Sequence, residues 1–259
     1  MTPTWFCRPA ARQWQGPTLD TAASAFHAKL PGYRPTELLE LPALAEELGV
    51  GRVLVKDEST RLGLGAFKVL GASWAIARLL TQDGDMTVAG LRRAAAAHPV
   101  ELVAATDGNH GRAVAWAGRL LGLNARVFVP RVVAPRARAA IAAEGATVTV
   151  AGESYDQAVQ RAAAYAGPGR VLVQDTAWPG YESVPRWIVE GYGTLLAELD
   201  RQFAERDLPG PDLVCVPVGV GSGSTSLYMK TRTQESLFMS WPNMLPQGGS
   251  EVVLFYVND

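Results

Sequence analysis

Residues 55–72 read VKDESTRLGLGAFKVLGA, and the stretch predicts a short strand, a glycine-containing loop and the start of a helix. The loop delivers Lys68 between Phe67 and Val69, which is an apolar setting for a charged side chain. Two interpretations of this lysine stay open. It is either a solvated residue in the first turn of a helix, or an amine in a low dielectric. In the second case its pKa falls and it attacks a carbonyl as a nucleophile.

Around this stretch, short apolar segments alternate with helical patterns, which predicts βαβ units and a parallel sheet covered on both faces. Ligands of such sheets bind at the carboxyl ends of the strands. The predicted strands are 52–56, 101–105, 125–129, 147–150, 171–173, 213–218 and 252–257. The predicted helices are 21–30, 43–48, 70–81, 91–97, 112–121, 135–144, 155–165 and 183–206, the last interrupted near Pro185, with Gly191 and Gly193 as further candidate breaks.

Composition narrows the class of protein. The 259 residues suffice for one large domain or two small ones, and the 48% apolar content supports a sizeable core. A formal net charge of −1 favours neither a nucleic-acid nor an anionic-membrane partner. No apolar run approaches the roughly 20 residues that span a bilayer, and no secretory signal is evident. Cys7 and Cys215 match no metal-binding spacing, so no metal site is expected and the predicted location is the reducing cytoplasm.

Residues 106–111, TDGNHG, separate a predicted strand from a predicted helix. Their polar side chains could simply cap that helix. Alternatively, the glycines let the backbone approach a ligand. In that case Asn109 donates to a phenolate or carboxylate oxygen, and Asp107 serves as a base or holds an ammonium group.

Residues 219–223, GVGSG, follow the last apolar strand of the alternating pattern. Backbone N–H groups and the Ser222 hydroxyl would cradle a phosphate there, although a tight loop is an equal alternative. The run fits neither the dinucleotide-binding nor the nucleotide P-loop pattern. A lysine nucleophile, an asparagine directed at an oxygen and a phosphate cradle together suit an aldehyde cofactor that carries a phosphate, namely pyridoxal phosphate.

The same loops resemble those of a known family. KDES at 56–59 with AFK at 66–68, DGNHG at 107–111 and GVGS at 219–222 are similar to the pyridoxal phosphate enzymes with the tryptophan synthase β-subunit fold, called fold type II. Two further stretches, PGYRPT at 31–36 and QDTAW at 174–178, resemble the diaminopropionate ammonia-lyases within that family. The resemblance runs from about residue 30 to Ser222.

The resemblance implies roles for individual residues. Lys68 would bind pyridoxal 5'-phosphate covalently and move the α-proton of the substrate, and Asn109 would contact the ring oxygen of the cofactor. Asp107 would be the base on the face opposite Lys68, and Asp175 would help to bind substrate. For Asp175, a turn residue that caps the next segment is the open alternative. Phosphate binding falls to the glycine-rich loop, namely Gly219, Val220, Gly221 and Ser222.

The implied activity is the elimination of ammonia from 2,3-diaminopropionate to give pyruvate, a step of amino-acid catabolism, in a cytoplasmic homodimer. Alternatives are a serine or threonine dehydratase of the same fold, or a defective remnant that acts as a binding protein.

The expected architecture is a two-domain α/β fold. Residues 1–80 would begin the large domain, 81–185 would form a small α/β domain, and 186–223 would return to the large domain. Residues 224–259 would be an atypical tail, with the C-terminal part of the large domain truncated and the lyase activity of the chain consequently poor.

Overall fold

The computed structural model of the chain describes residues 21–81, 84–211 and 213–215, and the backbone of 237–239 and 251–256. The helices are α1 Ala22–His27, α2 Pro42–Leu48, α3 Lys68–Thr81, α4 Val88–Ala97, α5 Asn109–Leu121, α6 Pro135–Ala143, α7 Tyr155–Tyr165 and α8 Ser183–Glu205. The strands are β1 Leu38–Glu40, β2 Arg52–Asp57, β3 Glu101–Ala105, β4 Asn124–Val129, β5 Thr147–Val150, β6 Arg170–Leu172, β7 Leu213–Cys215, β8 Leu237–Met239 and β9 Glu251–Tyr256. A 3-10 helix, Glu58–Gly63, links β2 to the loop before α3.

The described strands form two sheets. The first has the order β1-β2-β9-β7-β8 and is parallel except for β1, which pairs antiparallel with β2. The second has the order β5-β4-β3-β6 and is parallel throughout. The predicted α/β fold with parallel sheets is therefore confirmed. All strands of the second sheet come between β2 and β7 of the first sheet in the sequence, as a second domain inserted into the first would require. The predicted domain boundaries stay a prediction.

Local sequence signals explain where several elements begin and end. The α7 helix starts at a capping box, in which the Ser154 hydroxyl accepts from the Gln157 N–H and the Gln157 side chain bonds back to the backbone. The α2 and α5 helices each end at a glycine with a left-handed backbone, Gly49 (φ +67°) and Gly122 (φ +76°). These caps account for the close agreement between the predicted and observed helix ends.

Two helix predictions need correction. The α5 helix begins at Asn109, so Asn109 and His110 lie in its first turn and not in a loop. The α8 helix runs without a break through Pro185, Gly191 and Gly193. A proline near the start of a helix lacks only an N–H that has no partner within the helix, so Pro185 is tolerated.

Gly191 is a packing glycine. A Cβ placed there would lie 2.5 Å from the carbonyl oxygen of Leu70 and 2.8 Å from the Cα of Gly71. On the other side, a Cβ at Gly71 would lie 2.6 Å from the Tyr192 ring. The backbones of α3 and α8 therefore meet at this glycine pair, which holds the first turn of α3 against α8.

The C-terminal part of the chain contributes two strands to the first sheet. The predicted strand at 252–257 is confirmed as β9, which lies between β2 and β7 and aligns Val53 with Val252. The β1 and β8 strands were not predicted from the sequence. In the described parts of the chain, no helix combines the length and the apolar character that crossing a membrane requires.

Candidate active site

Lys68 is the first residue of α3, at the end of the loop that follows the 3-10 helix. Its Nζ donates a hydrogen bond of 2.8 Å to Oδ2 of Asp175, which follows β6. The lysine side chain is 22% exposed, whereas the Asp175 side chain is 3% exposed. The amine is thus held by a buried carboxylate and still reachable from solvent, which is what a reactive lysine needs.

The electrostatics of this pair differ from the expectation. Burial by itself lowers the pKa of Lys68, but interactions with Tyr192 and with the Asp175 carboxylate outweigh it and raise the pKa above its ordinary value. The predicted fall in this pKa is therefore wrong, because sequence alone does not show a carboxylate 2.8 Å from the amine. Burial raises the pKa of Asp175, whereas a positive charge on His110, when that ring is protonated, and the Lys68 ammonium lower it below its ordinary value.

Asp175 belongs to a hydrogen-bonded group at the carboxyl ends of β3 and β6. Its Oδ1 lies 3.3 Å from Nε2 of Gln174 and 3.5 Å from the hydroxyl of Tyr155. The Gln174 side-chain amide also donates a hydrogen bond of 2.8 Å to the Tyr155 hydroxyl and accepts one of 2.9 Å from the Ala105 N–H. These contacts and the Lys68 pair place Asp175 beside Lys68, while the N-cap of the next helix, α8, is Glu182. The role of Asp175 in substrate binding stays a prediction.

The polar loop of residues 106–111 meets the start of α5. Gly108 is the N-cap residue and has no side chain with which to cap the helix. Its N–H donates a hydrogen bond of 2.9 Å to the Thr106 hydroxyl. Asp107 is exposed and Asn109 is partly exposed, so neither side chain is buried in the turn. The Thr106 hydroxyl therefore binds the backbone at the start of α5, and the Asp107 carboxylate is left accessible.

Glycine stands at the two glycine positions of this loop for different structural reasons. A Cβ at Gly108 would meet nothing within 4 Å, so this glycine leaves open space beside the site. A Cβ at Gly111 would clash with Thr106 and would lie 2.6 Å from Val127. Gly111 is therefore explained by the close packing of α5, and only Gly108 agrees with the predicted approach of a ligand.

The remaining predicted cofactor residues, Gly219, Val220, Gly221 and Ser222, lie outside the described residues. Their place relative to Lys68 stays a prediction.

Three tyrosines at the site were missed from the sequence. Tyr155 contacts Asp175, and burial followed by the Asp175 charge raises its pKa to about 12, with a smaller contribution from Asp107. Tyr192 places its ring centroid 5.8 Å from Nζ of Lys68. The Tyr181 hydroxyl accepts from the Gln174 N–H at 2.9 Å. Tyr155 and Tyr192 lie in helices, where an aromatic residue is more often core, so no sequence signal marked them. Tyr181 stands close to the QDTAW stretch that resembles the ammonia-lyases, but no role was predicted for it.

A second group of charges lies behind the site and is entirely buried. Arg61 binds both carboxylate oxygens of Glu58 and both of Glu198, at 2.6–2.8 Å. Lys56 donates to Glu198 at 2.8 Å, to the carbonyl of Thr36 at 2.8 Å and to Gln202 at 3.0 Å. We call Lys56, Glu58, Arg61 and Glu198 the buried charge cluster. It attaches the strand and turn before Lys68 to α8.

The charges of this cluster balance, and its polar groups have partners. Glu198 also accepts from the Tyr33 hydroxyl at 2.6 Å and from the Thr36 N–H at 3.2 Å. Burial raises the pKa of Glu198, but hydrogen bonds and charge from Arg61 and Lys56 lower it to about 2. Because all four side chains are 0–1% exposed, the cluster is scaffold and not a binding surface.

Comparison with known proteins identifies the family. A family model described as pyridoxal-phosphate dependent enzyme matches residues 29–245. The chain belongs to this family. The match extends beyond Ser222, where the resemblance was expected to end. Fold type II is confirmed by similarity to solved structures of the family, and a pyridoxal-phosphate enzyme therefore accounts for both the fold and the lysine site.

This pyridoxal-phosphate enzyme is similar to ammonia-lyases and to a dehydratase. Diaminopropionate ammonia-lyase of Salmonella typhimurium is 42% identical over 232 residues, 85% of this chain and 56% of the relative. The crystal structure of the Escherichia coli diaminopropionate ammonia lyase in complex with D-serine has a TM-score of 0.78 at 39% identity and covers 84% of this chain and 58% of that one. A biosynthetic L-threonine dehydratase of Corynebacterium glutamicum is 30% identical over 190 residues, 72% of this chain and 38% of the relative. The chain thus spans about half the length of the ammonia-lyases it matches.

The described residues fit pyridoxal phosphate. An aldehyde cofactor needs a primary amine that is held in place and remains reachable, and Lys68 meets both conditions. The start of α5 adds backbone N–H groups beside a glycine with open space, which favours the approach of a negatively charged ring substituent. Among the residues that the structure describes, no three His, Cys, Asp or Glu side chains are grouped as metal ligands would be.

Proposed function

We propose that this pyridoxal-phosphate enzyme is a diaminopropionate ammonia-lyase, which eliminates ammonia from 2,3-diaminopropionate to give pyruvate. The observation that carries the proposal is the Lys68–Asp175 pair at 2.8 Å, with the exposed Asp107 carboxylate at the neighbouring strand end. The charges of Asp175 and, less strongly, of Asp107 both raise the pKa of Tyr155, which supports a shared role for the two carboxylates. The 42% identity to a diaminopropionate ammonia-lyase supports the same reaction.

Two carboxylates beside one lysine suit a substrate with two amino groups. At neutral pH diaminopropionate carries up to two ammonium groups, and a carboxylate lowers the free energy of each in a partly buried site. A hydroxyl substrate such as serine or threonine has only one. The Asp107 carboxylate therefore favours diaminopropionate over the dehydratase alternative.

The residues divide the work as follows. Lys68 holds the cofactor and moves the α-proton, Asn109 contacts the ring oxygen, and residues 219–222 hold the phosphate. When bound, the cofactor ring supplies the electron sink that lets the α-proton leave. Asp175 keeps the Lys68 nitrogen in place, and Asp107 is the base for the D-isomer. General acid–base help of this kind is typically worth about 10²–10⁴-fold in rate.

The assembly and location follow the same proposal. A homodimer in the cytoplasm suits an enzyme of amino-acid catabolism with a small amino-acid substrate.

Turnover of a small substrate panel tests the proposal. Pyruvate and ammonia release is measured with D- and L-diaminopropionate, D- and L-serine and L-threonine, at fixed protein-bound cofactor. We expect kcat/KM for diaminopropionate to exceed that for serine by at least about tenfold, which is about 1.4 kcal/mol of transition-state preference. A preference for serine or threonine would establish the dehydratase alternative. Binding of diaminopropionate without any release of pyruvate would establish the binding-protein alternative.

Asp107→Asn sharpens the assignment. Because the variant keeps size and hydrogen bonding but removes the base, we expect turnover of the D-isomer to fall by about 10²-fold or more. Turnover of the L-isomer and the cofactor absorbance should change far less. An equal loss for both isomers together with loss of the absorbance would show that Asp107 is structural.

A further inference from the structure

His110 lies directly behind Asp175 and has one ring nitrogen without a partner. The side chain is 4% exposed and sits in the first turn of α5. Its Nε2 lies 2.8 Å from the carbonyl oxygen of Val173. A carbonyl oxygen only accepts, so Nε2 must carry the proton. The other nitrogen, Nδ1, is buried and finds no hydrogen-bond partner among the described residues.

That nitrogen faces the active-site ion pair. The His110 Nδ1 is 3.8 Å from Oδ2 of Asp175, the same oxygen that accepts from Lys68. In neutral imidazole with the proton on Nε2, Nδ1 is an acceptor, and so is the carboxylate. Two buried acceptors facing each other are unfavourable unless one of them takes up a proton, and this leaves Nδ1 as a vacant proton position beside the pair.

The surrounding charges determine when Nδ1 of His110 is protonated. While the Lys68 ammonium is present, it neutralises Asp175, and a second cation at His110 would be repelled. The start of α5 adds roughly half a positive charge, which also disfavours an imidazolium. If Lys68 loses its charge, the full negative charge of Asp175 at 3.8 Å outweighs that half charge. The other titratable groups at the site are Asp107, Tyr155 and Tyr192.

We propose that His110 is a positioning residue that takes up a proton on Nδ1 whenever the Nζ of Lys68 is uncharged, and thereby keeps Asp175 ionised and in place. The step is a proton transfer. An N–H bond of the Lys68 ammonium breaks and leaves its electron pair on Nζ, and a new N–H bond forms at Nδ1. The net charge of Lys68, Asp175 and His110 is zero before and after. The catalytic consequence rests on the proposed function, in which Lys68 must lose its charge to act on the cofactor.

Nitrogen-15 NMR of the histidine rings tests this without any turnover. The pKa and tautomer of His110 are measured in Lys68→Met and in Lys68→Arg, full-length chains that differ in a neutral or a permanently charged residue at position 68. Neither variant has a lysine there, so both lack the covalent link to the cofactor and the comparison is matched. The chain has three histidines, and the variant His110→Gln identifies the signal of interest.

We expect the Nε2-protonated tautomer in Lys68→Arg, and a proton affinity of His110 at least about tenfold higher in Lys68→Met. Adding Asp175→Asn to Lys68→Met should abolish the increase. The unchanged signal of buried His27, whose Nδ1 lies 2.7 Å from the Thr194 hydroxyl, reports that each variant is folded. Lys68→Ala is a second neutral variant for use if methionine disturbs the fold.

An equal proton affinity in the charged and neutral variants would refute the proposal, and so would a His110 without a proton on Nε2. Neither result depends on which amino acid the enzyme consumes. A failure of the proposed function would appear only in the turnover panel, so the two failures are distinguishable.

Discussion

Lys56 and Lys68 are two lysines that each lie 2.8 Å from a buried carboxylate, and they have different roles. Lys56 is 0% exposed and donates to Glu198, Thr36 and Gln202, which uses all three of its N–H groups. Burial lowers its pKa despite the attraction of Glu198. Lys68 is 22% exposed, and its pKa is raised. A lysine–carboxylate distance alone therefore does not identify a reactive lysine.

The difference lies in what else surrounds each amine. Glu198 is shared with Arg61, so Lys56 is one member of a cluster in which every charge has more than one partner. Asp175 lies 3.8 Å from Nδ1 of His110, which in our proposal gains or loses a proton. The first arrangement resists change and suits a scaffold, whereas the second can change charge and suits chemistry.

Replacing the reactive lysine should produce the largest effect. We expect Lys68→Ala to reduce pyruvate release by more than about 10⁴-fold, because acid–base help alone is worth about 10²–10⁴-fold and the cofactor link is also lost. The free energy of unfolding should fall by about 1.5–3 kcal/mol, the value of one hydrogen bond to a charged group. Steady-state kinetics and urea unfolding of the same preparation measure both. Full turnover in this variant would show that the lysine is misassigned.

Replacing the scaffold lysine should give the opposite result. Lys56→Met leaves Glu198 with one cation fewer and removes one of the two donors to the Thr36 carbonyl, so we expect a loss of about 3–5 kcal/mol in the free energy of unfolding. Turnover per folded molecule should stay within about threefold of the parent chain. The exposed Lys29→Met is the matched control and should be near neutral. A stable Lys56→Met protein that lacks activity would contradict the scaffold role.

Acid should weaken the buried charge cluster. The pKa of Glu198 is about 2 in the folded chain, below its ordinary 4.5, so its stabilisation is complete above pH 4.5 and disappears as the pH falls toward 2. This amounts to about 3 kcal/mol. Urea unfolding between about pH 6 and pH 2.5 should therefore show a loss of that size that Glu198→Gln lacks.

Two comparisons isolate this effect. Burial lowers the pKa of His27 to about 3, and the Glu198 charge opposes this only slightly. His27 therefore changes stability over an overlapping pH range in both proteins, and most of that change cancels in the difference. The exposed Glu46→Gln should behave like the parent chain. Equal acid sensitivity of the parent and Glu198→Gln would mean that Glu198 is not held as an ion in the folded state.

Much of the fold was predictable because its signals are local. The strand Glu101–Ala105 and the helix Tyr155–Tyr165 agree with their predicted bounds, since each is short, strongly patterned and ended by caps or turns. Gly191 was misjudged as a possible break. Glycine is needed there because of a tertiary contact with the backbone of Leu70, which lies 121 positions earlier in the chain.

The site was predictable where motifs carried it and not elsewhere. Lys68 and Asp175 stand in recognisable stretches, and the structure brings them together. Glu198 looks like a solvent-facing residue of an amphipathic helix, and nothing in the sequence indicates that it meets Arg61. The direction of the Lys68 pKa shift depends on Tyr192 and on the Asp175 carboxylate, which are 124 and 107 residues away in the chain, so it could only be found from the structure.

Trapping the cofactor on its lysine is the most direct measurement. The chain is incubated with pyridoxal phosphate, reduced with borohydride, digested and mapped by mass spectrometry, which shows which lysine is modified. The amine of Lys68 is reachable and that of Lys56 is not, so we predict the label on Lys68 and none on Lys56. A label on Lys56 or another lysine, with Lys68 unmodified, would contradict this account.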